Sequence, residues 1–269
     1  MNDGNLPASS SNPAALREFY ERTYARALDI VPLPPDDDFM CGQVLAQLRP
    51  LLKTGARVLD LGCNNGNLSL YMARRACEVL GIDLAHNAVE TAKKSAEFHR
   101  LSNVRFAAMD FLQDWKTSAA FDLVLCSHVI EHVPQDALFA RKIFAALRPG
   151  GKLVLLAPAP SSSLYRVCRA LTGRFKHDEE AGHLRRYSAA ALRGVAAGAG
   201  FRVERAAHLD GVLRDWFILF RPLRRFNTLW CRPVVRRVFN GADRLCARIC
   251  CAATVCVIAT KPDEPEPRP

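Results

Sequence analysis

The stretch Val58-Leu59-Asp60-Leu61-Gly62-Cys63-Asn64-Asn65-Gly66-Asn67 decides how the chain is read. An apolar run breaks at a glycine turn, and the amphipathic segment LSLYMARRA follows at once. A strand that feeds a helix through such a turn leaves the first helical N–H groups without intrahelical partners, open to a ligand. Twenty-one residues after Gly62, the next apolar run, CEVLGID, ends on Asp83, where a carboxylate is placed to accept two ribose hydroxyls. A dinucleotide site would need G-x-G-x-x-G. With Gly62 first, the other two positions hold Asn64 and Asn67, so the turn lacks the bare backbone that a pyrophosphate requires.

Outward from this stretch, short apolar runs alternate with amphipathic segments: RVLDLG, LSLYMARRA, CEVLGID, AVETAKKSAEFHRL, VRFAAMD, FDLVLCS, DALFARKIFAALR, a turn LRPGG, KLVLLAP, YSAAALRGVAAGAGF, FRVERAAH and a last strand AATVCVIATK. Strands alternating with helices imply an α/β fold, a doubly wound and mainly parallel sheet buried on both faces. A third acid, Asp110, ends the third strand, so Asp60, Asp83 and Asp110 are expected along one sheet edge. That row suits a ligand carrying positive charge, ribose and adenine but no phosphate.

The motifs taken together resemble those of the class I S-adenosylmethionine-dependent methyltransferases over roughly residues 40–208. The family's acid-x-Gly-x-Gly-x-Gly appears as Asp60, Gly62, Asn64 and Gly66, and its later LRPGG as Leu147 to Gly151. The resemblance implies a Rossmann-like seven-stranded sheet with helical insertions and S-adenosylmethionine as cofactor. It also implies roles: Gly62 and Gly66 let the backbone approach the methionine moiety, and Asp60 orients the glycine loop and the ammonium. Asp83 holds the ribose, Met109 packs on the adenine ring and Asp110 meets its amino group, with Leu84 and Ser127 also among the cofactor contacts. Asn64 departs from the family's usual glycine; asparagine is among the few residues that tolerate positive φ.

After the fourth strand comes His128-Val129-Ile130-Glu131-His132-Val133-Pro134. On a helical turn, residues at i, i+3 and i+4 share a face, so His128, Glu131 and His132 are expected to converge. The H-x-x-E-H pattern of inverted zinc proteases belongs on a long helix, which Pro134 precludes here. The stretch is similar to the E-x-x-E-H of ubiquinone-biosynthesis and small-RNA O-methyltransferases, whose glutamates and histidine hold a divalent cation; His128 stands where they have the first glutamate. Imidazole suits zinc, manganese or iron better than magnesium, so a metal on Glu131, His132 and His128 is an open reading and not the favoured one. Two others stay beside it: Glu131 and His132 close the turn with backbone hydrogen bonds, or His128 or His132 is the general base.

The domain reading places a disordered tail and cap helices at 1–54, the cofactor-binding core at 55–208 with a cap insertion at 159–187, a basic-aromatic insertion at 209–250, the last strand at 251–261 and a disordered tail at 262–269. Within the tail and cap region, AALREFYERTYARAL is read as one entry helix and FMCGQVLAQLRPLL as a second, behind the acidic cap Asp36 to Asp38. In the cap insertion, Gly182-His183-Leu184-Arg185-Arg186-Tyr187 is similar to a segment of small-molecule and lipid methyltransferases; His183 and Arg185 are expected to border the substrate pocket, Arg186 to be solvated and Ser188 to cap a helix. From Gly211 to Cys251, nine arginines meet two acids, interleaved with Trp216, Phe217, Phe220, Phe226, Trp230 and Phe239. An anionic membrane surface with a lipid-linked substrate is the preferred partner reading, ahead of intramolecular capping of the active site, and nucleic acid is the least favoured.

Composition agrees with this class. The chain has 269 residues with a formal charge of +10, and no apolar run nears the roughly 20 residues of a membrane span. Ten cysteines without a CxxC pair read as buried small hydrophobes in a reducing compartment. The N-terminal residues carry no signal-peptide pattern, so a cytoplasmic protein, peripheral on the inner face of a membrane, is expected. The functional expectation is methyl transfer to an oxygen of a small-molecule or lipid-linked acceptor. Its alternatives are an RNA methyltransferase using the arginine-rich segment, or a cofactor-binding protein that has lost catalysis.

Overall fold

The computed structural model describes Glu18, Glu21 and residues 30–219, 232–249 and 252–263. The expected entry helix within 14–28, the terminal tails, and Phe220, Phe226 and Trp230 with the arginines among them lie almost wholly outside these residues.

Seven strands form one sheet in the order β3-β2-β1-β4-β5-β7-β6: β1 (Arg57–Leu61), β2 (Glu78–Asp83), β3 (Val104–Ala108), β4 (Phe121–Ser127), β5 (Leu147–Pro158), β6 (Arg202–Gly211) and β7 (Ala252–Thr260). The first five pair in parallel, whereas β7 runs antiparallel between β5 and β6. Leu59, Val124 and Leu155 pack on one face and Val58, Leu125 and Val154 on the other, all fully buried. Burial on both faces explains why these strands read as continuous apolar runs rather than alternating ones.

Helices cross between the parallel strands: α2 (Asn67–Arg74), α3 (His86–Phe98) and α4 (Asp136–Ala146), with α7 (Ala189–Gly198) entering β6. Helix α1 (Gly42–Leu48) precedes β1, and Asp38 Oδ1 accepts from the N–H groups of Met40 (2.8 Å) and Cys41 (2.9 Å) just ahead of it. Ser188 caps α7 as expected, accepting from Ala191 N at 3.1 Å. Glu21 reaches back from the N-terminal segment to accept from His86 N (2.6 Å) and Asn87 N (3.2 Å), supplying the start of α3 with the partners its own sequence lacks.

Two corrections concern boundaries. Strand β6 runs on to Gly211, so the insertion before β7 starts three residues later than the expected 209. The LRPGG turn is drawn into β5, with a register shift opposite Phe121 and Leu123 and a positive φ of +70° at Gly150.

The insertion between β5 and α7 holds α5 (Ser163–Thr172) and α6 (Lys176–Ala181); that between β6 and β7 holds α8 (Val212–Leu219) and α9 (Pro233–Ile249). Arg214, expected within a basic interface, is instead buried. Its guanidinium donates to Met40 O (2.9 Å) and Asn240 Oδ1 (2.5 Å), beside Asp243 and Asp210 at 3.4 Å each. Asp243, wholly buried, accepts from Gln43 Nε2 at 2.7 Å and Gly211 N at 2.9 Å. This network ties α1, β6, α8 and α9 together.

Candidate functional site

The strand order reverses at β1, which pairs with β2 on one side and β4 on the other. Loops leaving the C-terminal ends of these strands diverge there and open a crevice. A cleft of about 680 Å³ occupies that place. Asp60, Gly62, Asn64, Asp83, Leu84, Met109, Asp110, Ser127, His128 and His132 all line it. Beside these, Phe111, Leu112, Val133, Leu138 and Phe139 give the cleft an apolar part of its lining.

The loop after β1 is held by its neighbours. Gly62 N and Cys63 N donate to Ile82 O at 2.8 and 3.0 Å. Asn64 N donates to Asp83 Oδ2 at 2.8 Å, and Asp83 Oδ1 accepts from Ala85 N at 2.9 Å. Asn64 has φ +51°, so the residue standing where a glycine is usual takes the left-handed conformation that asparagine tolerates. Gly62 (φ +71°) and Gly66 (φ +86°) have a second reason to lack a side chain. A Cβ on Gly62 would stand 2.2 Å from Val129 Cγ2, and one on Gly66 would stand 2.8 Å from Ala92 Cβ and 2.9 Å from Phe106 Cζ. Gly62 lines the cleft and Gly66 does not, so for Gly66 the reason the structure gives is packing.

Asp60 is buried and accepts from Ser69 Oγ at 2.5 Å. Burial pushes its carboxyl up to about 7; the Ser69 hydroxyl opposes this and the Asp83 charge adds to it. Burial also raises Asp83, against the hydrogen bonds from Ala85 and Asn64. Two carboxylates that resist ionisation beside one cavity favour a cationic occupant. Asp110 Oδ1 accepts from Leu112 N at 2.8 Å, which fixes the turn after β3 at the rim.

The segment after β4 departs from the expected helical face. His128 sits at φ +55°, ahead of a single 3-10 turn at Ile130–His132, so the three side chains are not stacked by helical spacing. Glu131 is fully buried behind the cleft and does not line it. His128 Nδ1 lies 3.3 Å from Glu131 Oε1, while its Nε2 is 3.5 Å from Thr254 Oγ1. Burial disfavours the His128 cation, but the carboxylate outweighs it and raises the imidazole above its ordinary value. The same pairing lowers Glu131 in spite of its burial.

His183 and Arg185 do not border the cleft. His183 lies behind His132, with ring centroids 4.9 Å apart, and its Nδ1 is 2.7 Å from Asp178 Oδ1. Arg185 clamps Asp136 Oδ2 and Pro134 O at 2.9 Å each. Arg186 is mostly shielded rather than solvated, its side chain 9% exposed: it chelates Asp178 at 2.7 and 2.8 Å, donates to Ala159 O at 2.9 Å, and stacks 4.2 Å from the Tyr165 ring centre. Asp178 is held down at about 2 by His183 and Arg186, against the effect of its burial. Nothing in the sequence marked Asp178, whose partners lie five and eight residues away across a loop.

Glu131, His132 and His183 place one donor atom each within 4.8 Å of one another, so His183, and not His128, completes the cluster. Neither Glu131 oxygen has a hydrogen-bond partner of acceptable geometry. A buried carboxylate that has only the His128 imidazole beside it at 3.3 Å, with the imidazoles of His132 and His183 close by, fits a divalent cation of the zinc or manganese kind. His132 Nδ1 contacts Gly182 O at 3.2 Å and His183 Nδ1 contacts Asp178, the outer contacts that orient ligating imidazoles.

Residues 37–206 match the family model for a methyltransferase domain. A ubiquinone biosynthesis O-methyltransferase of Idiomarina loihiensis is 39% identical over 100 residues, 37% of this chain and 41% of that protein. One of Psychrobacter arcticus is 34% identical over 155 residues, 53% of this chain and 60% of that protein. These matches thus span about half the length of the curated relatives. Among solved structures, phosphoethanolamine N-methyltransferase 2 of Haemonchus contortus in complex with S-adenosyl-L-methionine superposes with a TM-score of 0.63 at 18% identity, covering 97% of this chain and 61% of that one. Motif order, sheet order and family match agree, and the chain belongs to the methyltransferase domain family, in its class I, S-adenosylmethionine-dependent form.

Proposed function

We propose that the chain transfers the methyl group of S-adenosylmethionine to an oxygen of a small-molecule or lipid-linked acceptor. The observation that carries this reading is the placement of His128 on the wall of the acid-lined cleft, backed at 3.3 Å by a buried carboxylate. Asp83 takes the ribose hydroxyls, Asp110 the adenine edge with Met109 on the ring, and Asp60 with the Gly62–Gly66 loop the ammonium end of the methionine. Leu84 and Ser127 complete the cofactor contacts.

The sulfonium methyl is already electrophilic, so the protein's task is alignment of an oxygen nucleophile for in-line displacement. The C–S bond breaks as the O–C bond forms, and S-adenosylhomocysteine leaves neutral at sulfur. The acceptor hydroxyl gives its proton to His128, whose imidazole Glu131 orients. Base catalysis of this kind contributes about a hundred- to ten-thousand-fold in rate. Phe111, Val133, Leu138 and Phe139 exclude water and favour an apolar acceptor body. Glu131, His132 and His183 would hold a divalent ion, reaching the cleft through His132, and a bound ion would supply Lewis-acid polarisation there.

The relatives' shared name, ubiquinone biosynthesis O-methyltransferase, supports an oxygen acceptor on an apolar molecule. The test is incubation of the protein with methyl-labelled cofactor and a lipid extract. Label in the organic phase that disappears with His128→Gln supports the reading, and label found only in RNA or protein contradicts it.

A further inference from the structure

Helix α9 buries a mixed side and exposes an aliphatic one. Inward, Asp243, Asn240 and Ala247 are buried, the Phe239 ring lies 4.6 Å from that of Phe39, and Arg236 pairs with Asp37 at 3.1 Å. Asn240 Nδ2 donates to Asp37 O at 2.9 Å. Its outward side is aliphatic. Val234, Val238, Leu245 and Ile249 recur at helical spacing and are between 58% and 71% exposed. Gly241 and Ala242 are exposed between them, so no polar side chain interrupts the stripe. At about 1.5 Å per residue the stripe is roughly 22 Å long.

Charge is distributed just as unevenly. Arg232, Arg237, Arg244 and Arg248 are exposed along this helix and the residue before it, and its one acid, Asp243, is buried in the network with Arg214. By helical spacing Arg237, Arg244 and Arg248 fall along one border of the aliphatic stripe, seven and then four residues apart. Arg237 lies 3.7 Å from Asp37; otherwise, among the described residues, the exposed face is apolar and cationic.

We infer that α9 is a docking surface for an anionic phospholipid membrane, lying in the interface plane with Val234, Val238, Leu245 and Ile249 among the acyl chains and the bordering arginines on headgroup phosphates. An amphipathic helix with a cationic border is the structure that binds such interfaces. A second copy of the chain is a poorer occupant, because pairing the stripes would bring the arginine borders together. Nucleic acid is poorer still, because four aliphatic side chains offer no ring for a base to stack on. Among the described residues no helix is long and apolar enough to cross a membrane, so the contact is with the surface layer. The inference stands apart from the chemistry of the cleft, and its test does not depend on turnover.

The experiment is flotation of the full chain with vesicles of phosphatidylcholine alone or mixed with phosphatidylglycerol, at low and physiological ionic strength. The expected result is binding to the mixed vesicles that weakens with salt and is small on phosphatidylcholine alone. Leu245→Glu with Ile249→Glu is expected to lower the bound fraction by roughly tenfold or more, through lost insertion and added repulsion. Arg237→Glu with Arg248→Glu is expected to weaken binding by roughly fivefold for each charge removed, and more on reversal. All four side chains are exposed and only Arg237 meets an acid, Asp37 at 3.7 Å, so the Leu245→Glu, Ile249→Glu variant should match the parent chain in melting temperature and cofactor binding and the arginine variant should lose little of either. Equal flotation of the stripe variant and the parent would overturn the proposal. So would a stable dimer of the parent that Leu245→Glu dissociates, because the stripe would then belong to a protein contact.

Discussion

Asp83 Oδ2 accepts the backbone N–H of Asn64 at 2.8 Å, joining the end of β2 to the loop after β1. The carboxylate proposed to bind ribose thus also sets the shape of the loop proposed to receive the methionine end. Asp83→Ala removes both functions, and loss of cofactor affinity by a hundredfold or so, about 2–3 kcal/mol, is expected for a buried charged hydrogen bond. Asp83→Asn keeps the size of the side chain and should fall between. Titration calorimetry on both variants measures the difference.

Asn64 at φ +51° separates backbone from side-chain effects. Asn64→Gly should leave stability and cofactor affinity within about 0.5 kcal/mol of the parent, whereas Asn64→Val forces a β-branched residue into the left-handed region at a cost of about 1–2 kcal/mol. Thermal unfolding of the two variants distinguishes them.

Gly62→Ala places a methyl group 2.2 Å from Val129 Cγ2. The clash and the φ of +71° together should cost roughly 2–4 kcal/mol of stability. Adding Val129→Ala should recover part of it; denaturant midpoints of the single and double variants test the coupling.

Asp60, proposed to meet the ammonium end of the cofactor, is expected to make cofactor binding pH-dependent. Its pKa is raised by burial from 3.8 to about 7, so the folded chain holds a proton that the unfolded chain releases. That contribution to stability is complete below the unfolded value and is lost as pH rises through about 7. A cationic ligand favours the ionised form and should therefore expel the proton. The melting-temperature rise given by S-adenosylmethionine should grow between about pH 6 and pH 8, and calorimetric heats near pH 7 should depend on buffer ionisation enthalpy. Asp60→Asn should abolish both dependences.

The Glu131, His132 and His183 cluster predicts a thermal response to metal. Zinc or manganese should raise the melting temperature by an amount that increases with concentration, magnesium much less, and His183→Ala should remove the effect. No shift with any of the three ions would contradict the donor-set argument.

Much of this architecture was legible from residues alone, for identifiable reasons. Buried parallel strands must be apolar throughout, so β1 to β5 announced themselves. The strand-end acids Asp60, Asp83 and Asp110 were readable because short loops place them at fixed distances along one edge. What failed was geometry made by residues remote in sequence. His128 and His132 do converge on Glu131, at 3.3 and 4.0 Å, but through a left-handed residue and a single 3-10 turn instead of a helical face. His183 joins Glu131 from a loop some 50 residues away, and Asp178 and Arg186 hold it there, so no local pattern betrayed that cluster. Arg214 read as one more surface arginine because its partners Asp243 and Asn240 come from the far side of the same insertion.

The acid-lined cleft is proposed to bind S-adenosylmethionine, and the rest of the mechanism depends on that binding. Calorimetric titration of that cofactor into the intact chain tests it directly. One saturable site, abolished or greatly weakened in Asp83→Ala but retained in His128→Gln, is the predicted result. Absence of any saturable heat from a chain that still melts cooperatively would contradict it.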